Sequence, residues 1–407
     1  MKDKKFLLCA VTALLAATVL FTGCSGGDAP SSSGSSGSSS SSSGSSSSGS
    51  TSGSETPDPE EFELSFQSRG NSATLTGVKK GSCSGTLEIP ETTPDGIKVT
   101  AIGDHAFDGA HITGVHISAT VTEIGAYAFA NTDLKEVDIP ENITQIGMAA
   151  FRNCISLTRV SLNGNAAFDG SANRGVFNGC TSLQTVTMSD KITRLGDGMF
   201  AECKKLKTIT LPRSLTTIGA AAFYNCRSLE KITLPESVNA LGQSAFTDCQ
   251  KLADINIPEK IVQIPDEAFL NCKALSAVRL PDTIKRIGKS VFSGCVSLRR
   301  VDLPASVTEV DPFAYEDCVK LEQVVLSQDL EAIQEGVFSG CENLKKIYLS
   351  KKVTYVGDGA FRFSQPVTVY WGGSSASEWK NVAASPYGNT GLETAAFVYN
   401  ASPASLN

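Results

Sequence analysis

The apolar positions of residues 107–371 recur with a period close to 23 residues. In each repeat an alternating triplet such as Ile232-Thr233-Leu234 predicts a short strand with one buried face. Pro235 follows directly and predicts the end of that strand, because proline has no amide hydrogen to donate. A glycine such as Gly219 predicts a tight bend ahead of the next aromatic residue. One aromatic residue marks each repeat: Phe107, Phe129, Phe151, Phe177, Phe200, Phe223, Phe246, Phe269, Phe292, Tyr315, Phe338 and Phe361.

A unit of this length cannot bury its aromatic and aliphatic side chains alone, so successive units must stack and share one continuous core. The pattern therefore predicts a repeat solenoid. The apolar strand pairs from Leu87-Ile89 to Val367-Val369 indicate about thirteen rungs. At about 4.8 Å per rung, these strands form a parallel sheet about 60 Å long.

A cysteine lies three residues after most of the aromatic residues. Ala110, Thr132 and Ser364 occupy the same position in the outer repeats, so the position favours a small side chain. Stacking in register leaves the Cα–Cβ vectors parallel, which disfavours disulfides, and we predict packed free thiols; pairing of some thiols, or a metal site, is the alternative. Cys83, in the predicted N-terminal cap, is expected to be a lone thiol. The nine cysteines of the repeats are Cys154, Cys180, Cys203, Cys226, Cys249, Cys272, Cys295, Cys318 and Cys341.

Residues 1–23 have the features of an export signal, with three lysines before an apolar stretch that is shorter than a membrane span. The segment before Cys24 resembles a bacterial lipoprotein signal, which implies that lipid on Cys24 anchors the mature chain to a membrane surface. An ordinary secretory signal is the alternative. Residues 24–61 consist largely of Ser and Gly and predict a disordered tether, because they have too little apolar surface to offset their ordering entropy.

The overall charge and the motifs exclude several classes of function. A net charge of −7 and a pI near 5.2 disfavour binding to nucleic acid. The three histidines, His105, His111 and His116, are expected to be solvated or packed, and no acyl-transfer, HExxH, phosphate-loop or dinucleotide motif occurs. We therefore predict no catalytic residue, no metal site, no cofactor and no small-molecule substrate.

The outward-facing strand positions are the candidate binding surface, because solenoids commonly bind partners there. Arginine and aromatic side chains are frequent anchors in protein interfaces. The alternative is a solvated sheet face with a cap at its end. The predicted ligand-binding residues are Arg279, Arg299, Arg300, Lys346, Tyr348, Tyr370 and Trp371.

The repeat IGAAAFYNCRSLEKITLP and its copies resemble the BspA-like leucine-rich repeats of bacterial surface lipoproteins. The resemblance implies a leucine-rich-repeat-like right-handed array with one parallel β-sheet face, a β-rich N-terminal cap and a C-terminal cap. It suggests an N-terminal cap and first rung over residues 62–106, a solenoid over residues 107–371, and a C-terminal cap and tail over residues 372–407. It also implies adhesion to a partner, without a fixed set of functional residues.

Together these features predict a lipid-anchored, exported bacterial cell-surface protein. Its solenoid is expected to bind a host or bacterial surface protein or glycan in the manner of an adhesin, while the lipid on Cys24 contacts the membrane. The alternative is a structural or self-associating protein of the cell envelope.

Overall fold

Short parallel strands alternate with tight turns along the array. The computed structural model describes residues 63–80, 84–166, 174–363 and 365–406. The predicted signal peptide, the lipidation site Cys24, the tether and Cys83 lie outside these residues.

The strands and helices are listed here in chain order. The first strands are β1 Glu63–Arg69, β2 Ser72–Lys80, β3 Ser84–Glu88, β4 Lys98–Ile102, β5 His111–His116, β6 Glu123–Ile124, β7 Glu136–Ile139, β8 Gln145–Ile146, β9 Arg159–Leu162, β10 Thr185–Met188, β11 Arg194–Leu195, β12 Thr208–Ile209, β13 Thr217–Ile218 and β14 Lys231–Ile232. The later elements are β15 Ala240–Leu241, β16 Asp254–Ile255, β17 Gln263–Ile264, β18 Arg286–Ile287, β19 Arg300–Asp302, β20 Glu309–Val310, β21 Gln323–Val325, β22 Ala332–Ile333, β23 Lys346–Leu349, β24 Tyr355–Val356, β25 Thr368–Trp371, α1 Ala376–Trp379, β26 Ala383–Ala384, α2 Thr390–Glu393, β27 Ala396–Val398 and a 3₁₀ turn Pro403–Leu406. The helices in the described ranges are single turns, too short to span a bilayer.

The strands form two parallel ladders, one on each side of the core. The first, whose outward surface we call the strand face, contains the segments β3-β5, β7-β9-β10, β12-β14-β16 and β19-β21-β23-β25-β27. The second ladder contains β4-β6-β8, β11-β13-β15, β17-β18-β20 and β22-β24-β26. At the N-terminal end, β1 pairs antiparallel with β2, and β2 joins β4 of the second ladder. Apart from β4, the strands of the second ladder are two residues long.

The repeated aromatic residues form a single stacked column inside the array. Neighbouring ring centroids lie 5.2 to 5.8 Å apart from Phe107 to Phe361, and most ring planes are nearly parallel. Each ring is buried by the turns before and after it. The twelve aromatic residues mark about twelve turns, which agrees with the count of about thirteen rungs from the sequence, because each turn lies between two rungs. The predicted solenoid is confirmed.

The cysteines form a second buried column beside the aromatic rings. All nine are free thiols with no exposed surface, as the stacking argument predicted. Each donates its S–H to the backbone carbonyl of the aromatic residue one turn earlier; the distance is 3.2 Å from Cys249 Sγ to Phe223 O. Thr132, in the same position, instead donates its hydroxyl within its own turn, to Phe129 O at 2.9 Å. The position therefore favours a hydrogen-bond donor as well as a small side chain.

Left-handed residues on both sides of the aromatic residue make the tight turn. Around Phe223 these are Ala221, with φ 53°, and Asn225, with φ 58°. Gly219, which the sequence pattern assigned to the bend, does not have a positive φ. A Cβ at Gly219 would lie 2.7 Å from the backbone nitrogen of Asp197 in the preceding turn. Glycine is needed there because adjacent turns approach closely, so the predicted reason for it was wrong.

The strand face is interrupted between β16 and β19. Arg279 forms an isolated bridge with Asn256, the residue that directly follows β16. The next regular strand of this ladder is β19. Val278 and Leu280 are half-buried there and, with the ring of Tyr315, line a cavity of about 10 Å³. Among the described residues, the buried Tyr315 hydroxyl has no hydrogen-bond partner.

Candidate functional site

The strand face presents two columns of outward side chains in register. Parallel pairing places Lys231 between Thr208 and Asp254 in one column. Similarly, Tyr348 lies between Val325 and Tyr370 in the other. Because each column repeats once per turn, residues 23 apart in the sequence become direct neighbours. The chemical character of the strand face therefore depends on which residues occupy the same repeat position in successive turns.

The predicted arginine cluster is largely neutralised by acidic neighbours. Arg300 Nε lies 2.6 Å from Asp302 Oδ2 in the same strand. Arg299 Nη1 lies 3.1 Å from Glu322 Oε1, and Lys345 Nζ also contacts Glu322, at 3.4 Å. Arg279 is exposed one turn earlier. Arg279 thus lies in the turn next to two arginines whose guanidinium groups already have carboxylate partners.

Two of the predicted aromatic anchors are not accessible on the strand face. Trp371 is 2% exposed, because the alternation along β25 turns Val369 and Trp371 inward, and its ring packs edge-to-face on Trp379 at 5.0 Å. Tyr348 faces outward but is 5% exposed, because residues near Leu406 cover it. Burial also raises the pKa of the Tyr348 phenol. The outward placement of Trp371 was wrong, whereas Tyr348 lies at the predicted outward position but is covered.

The remaining predicted residues stay near the surface. Tyr370 is half-buried beside Tyr348, and Lys346 is exposed in the adjacent column. In the described part of the chain, no ion pair engages the Lys346 ammonium group. These two residues lie in the neighbouring strands β23 and β25.

A depression of about 420 Å³ lies elsewhere on the strand face, at β12 and β14. Buried aliphatic side chains and a proline form part of its lining. Five polar side chains line the rest: Thr208, Thr210, Arg213, Lys231 and Thr233. We call this site the threonine depression. It combines an apolar floor with a few polar groups, a combination that ligand-binding sites also use.

The polar side chains of the threonine depression have few internal partners. Within the described ranges, no hydrogen bond or ion pair engages the Arg213 guanidinium group or the Lys231 ammonium group. The same holds for the hydroxyl groups of Thr208, Thr210 and Thr233. These groups are exposed and available to hydrogen-bond a ligand, in contrast to the paired Arg299 and Arg300.

The sequence carried a signal for this site that the search for arginine and aromatic anchors overlooked. Thr185-Val186-Thr187 and Thr208-Ile209-Thr210 place threonines at both outward positions of successive strands, and Lys231-Ile232-Thr233 continues the pattern. Short threonine side chains next to longer neighbours leave a recess on a sheet surface. A run of small outward residues was thus a better indicator of a concave site than a run of large ones.

Eight of the nine buried thiols provide no chemistry for this surface. Burial raises the pKa of the eight thiols from Cys180 to Cys341, that of Cys295 to about 12. They therefore remain protonated, and a protonated buried thiol is a poor nucleophile and metal ligand. In the ranges that the structure describes, no group of three or more His, Cys, Asp or Glu side chains is placed to hold a metal ion.

Each histidine instead pairs with a carboxylate on the N-terminal turns. His105 Nδ1 lies 2.9 Å from Asp108, and His111 Nδ1 lies 2.9 Å from Asp133. His116 pairs with Glu88 across the β3-β5 ladder at 2.6 Å. All three rings are largely exposed, and the structure does not bring them together.

Comparisons with known proteins agree with this architecture. The model for the BspA type leucine rich repeat region matches residues 87–172, 170–282 and 262–380, in six copies. A leucine rich cell surface protein from Faecalibacterium prausnitzii A2-165 is 26% identical, with a TM-score of 0.52, over 79% of this chain and 96% of that chain. No curated protein matches the chain.

Two further solved structures are similar. The pneumococcal vaccine antigen PcpA is 16% identical, with a TM-score of 0.50, over 83% of this chain and 97% of that chain, and so shares the fold. A leucine-rich repeat protein from Bacteroides ovatus ATCC 8483 is 25% identical, with a TM-score of 0.43, over 77% of this chain and 98% of that chain. The repeat pattern, the stacked core and the family match together show that this chain belongs to the BspA type leucine-rich repeat family.

Proposed function

We propose that this protein is an exported, lipid-anchored surface protein that binds a protein or glycan partner through its strand face and performs no catalysis. The observation that carries the proposal is the threonine depression, where Arg213, Lys231 and three threonine hydroxyls surround an apolar floor. Within the described ranges, no hydrogen bond or ion pair engages these polar groups. Polar groups left available over a preformed recess suit recognition, whereas paired surface charges contribute little.

Several features support an external location for this binding activity. The chain is similar to a protein described as a cell surface protein. Lys2, Lys4 and Lys5 precede an apolar stretch and then Cys24, as in a lipoprotein signal. The Ser- and Gly-rich residues 31–54 lie between Cys24 and the solenoid in the sequence.

The test of the binding site is a screen of the purified protein against extracellular-matrix proteins, bacterial cells and a glycan array. The site variant combines Arg213→Ala with Lys231→Ala. The control combines Arg299→Ala with Lys345→Ala, which removes the same charge from a paired cluster on the same face. We expect saturable binding that the site variant weakens at least tenfold and the control leaves within twofold of the wild type.

The other outcomes assign the function differently. Weakening by the control pair alone would place the site at the predicted arginine cluster instead. Absence of any ligand together with concentration-dependent association of the protein would favour a self-associating envelope protein.

The anchor is tested separately by Cys24→Ser. We expect this variant to lose metabolic labelling with palmitate and to leave the membrane fraction, because no lipid chain remains to bury acyl groups in the bilayer. Retention of both properties would show that the signal is processed differently.

A further inference from the structure

An apolar patch interrupts the polar strand face near its C-terminal end. Val325, Tyr348 and Tyr370 occupy the same outward position in β21, β23 and β25 and are direct neighbours in the ladder. Three consecutive apolar residues at an outward position require a cover. We call them the tyrosine patch. In earlier turns this position is polar: Asp138, Ser161, Thr187, Thr210, Thr233, Asn256, Arg279 and Asp302.

The cover is residues 402–406 of the same chain, which we call the C-terminal segment. Its 3₁₀ turn Pro403–Leu406 lies over the tyrosine patch. Leu406 is 3% exposed and packs with Val325 and Tyr348, which are 8% and 5% exposed. One aliphatic side chain therefore fills the recess beside two tyrosine rings.

One polar contact orients the segment on the strand face. Gln323 Nε2 donates to the backbone carbonyl of Leu406 at 3.0 Å. Gln323 belongs to β21 and lies two residues before Val325, so both outward columns contribute to the site. The site recognises a peptide carbonyl and the aliphatic side chain of the same residue.

The remaining hydrogen bonds of the C-terminal segment are internal. Ser405 donates its amide to Ser402 O at 2.8 Å, and Ser402 donates its amide to Ser405 Oγ at 3.0 Å. The segment keeps its turn without help from the strand face. Its attachment to the cap ends just before, where Asn400 and Ala401 donate their amides to Gly373 O at 2.8 Å and Trp371 O at 3.0 Å. Residues 402–406 are therefore held on the strand face by the Gln323 hydrogen bond and the buried Leu406 side chain.

We propose that the tyrosine patch is a peptide-binding site and that the C-terminal segment is its built-in, displaceable ligand. The partner is a protein that presents a similar turn, with an aliphatic side chain three residues after a proline and a carbonyl that accepts from Gln323. This inference goes beyond the proposed function, because the patch lies four turns, or about 19 Å, from the threonine depression. A peptide is favoured over a glycan because the occupant is itself a peptide, held by an aliphatic side chain.

The binding experiment uses the full chain in detergent micelles and a fluorescein-labelled peptide, ASPASL, read by anisotropy. Leu406→Asp should release the segment, so we expect this variant to bind the peptide at least tenfold more tightly than the wild type. Ala404→Asp is the matched control, because Ala404 is exposed and the same charge is added without loss of the buried contact. It should bind like the wild type.

A second variant locates the site. Val325→Asp added to Leu406→Asp should abolish the peptide binding. Binding that survives in this double variant, or Leu406→Asp binding no better than the wild type, would overturn the proposal. Binding of a glycan and not of the peptide to the released site would overturn the assignment of the partner.

Hydrogen exchange of the unmodified protein provides a test that does not depend on any variant. We expect the amide of Ser405 to exchange at least 100-fold faster than the amides of Tyr348 and Val369 in the ladder. Equal protection would show that the C-terminal segment is a fixed part of the cap and overturn the proposal. A failed partner screen at Arg213 and Lys231 would leave these measurements unaffected, so the two proposals fail separately.

Discussion

Replacing Phe246 by alanine tests whether the stacked aromatic column stabilises the array turn by turn. The Phe246 ring has no exposed surface. Its centroid lies 5.4 Å from that of Phe223 and 5.5 Å from that of Phe269, with interplanar angles of 5° and 3°. The substitution removes the ring between two nearly parallel neighbours and leaves the backbone ladder in place, including the bond from Phe246 N to Ala268 O at 2.9 Å.

The expected loss of unfolding free energy is about 3–5 kcal/mol. This range is typical of Phe→Ala in a core and includes both the lost transfer free energy and the cavity. The two lost stacking contacts contribute about 1–3 kcal/mol of it. Phe246→Leu keeps most of the apolar volume, so we expect a cost about half as large.

The loss should be local, because each turn of a solenoid contacts only its neighbours. The chain has two tryptophans, Trp371 and Trp379, and both lie at the C-terminal end. Guanidinium denaturation followed by tryptophan fluorescence therefore reports that end, while far-UV circular dichroism reports the whole array. For Phe246→Ala we expect the dichroism signal to fall at lower denaturant than the fluorescence signal.

Hydrogen exchange should place the damage in the turns between Phe223 and Phe269. A cost below about 1 kcal/mol would refute the packing argument. A loss of protection spread evenly from Phe107 to Phe361, with coincident transitions by both probes, would refute the nearest-neighbour argument.

Three further measurements test single features of the core. Tyr315→Phe removes a buried hydroxyl without a partner in the described residues, so stability should be unchanged or rise by about 1 kcal/mol, and a clear decrease in the melting temperature would contradict this. The eight thiols from Cys180 to Cys341 keep their protons in the folded state, but in the unfolded state they lose them above about pH 8.5. Because the unfolded state then binds fewer protons, each thiol lowers the free energy of unfolding by about 1.4 kcal/mol per pH unit between pH 9 and 10. Denaturation curves measured at several pH values give the fall in unfolding free energy with pH. Cys249→Ala should reduce the slope of that fall by the contribution of one thiol, and an unchanged slope would show that this thiol is accessible in the folded state. Asn256→Ala leaves both backbone groups of Leu234 without the side chain that pairs with them at 2.8 Å, and should cost about 1–3 kcal/mol in chemical denaturation, with an intermediate cost for Asn256→Asp.

The periodic part of the fold was predictable because every interior position has the same neighbours in each turn. The 23-residue spacing alone places Phe223 between Phe200 and Phe246, and Cys226 beside Cys249. The hydrogen bond from each thiol to an aromatic carbonyl was not predicted, since it depends on the geometry of the left-handed turn.

The candidate site was predicted in part. From the sequence, the strand face was chosen as the binding surface. Residues were selected by side-chain type, without considering which residues the strand register makes neighbours. Arg299 and Glu322 are 23 residues apart, so their ion pair was implied by the period. Trp371 was placed outward although alternation from Val369 turns it inward. The threonine depression was missed because concavity comes from small side chains.

The sequence by itself determined the repeat, the stacked column of aromatic rings, the line of buried thiols and the positions of the strands. These features are periodic, and each depends on contacts between a residue and its equivalents one turn away. Only the tertiary structure decided that Leu406 covers Tyr348, although 83 residues separate Leu406 from Gln323, to which its carbonyl is bound. That contact is not periodic, because it depends on the path of the chain through the cap, which no repeated spacing encodes.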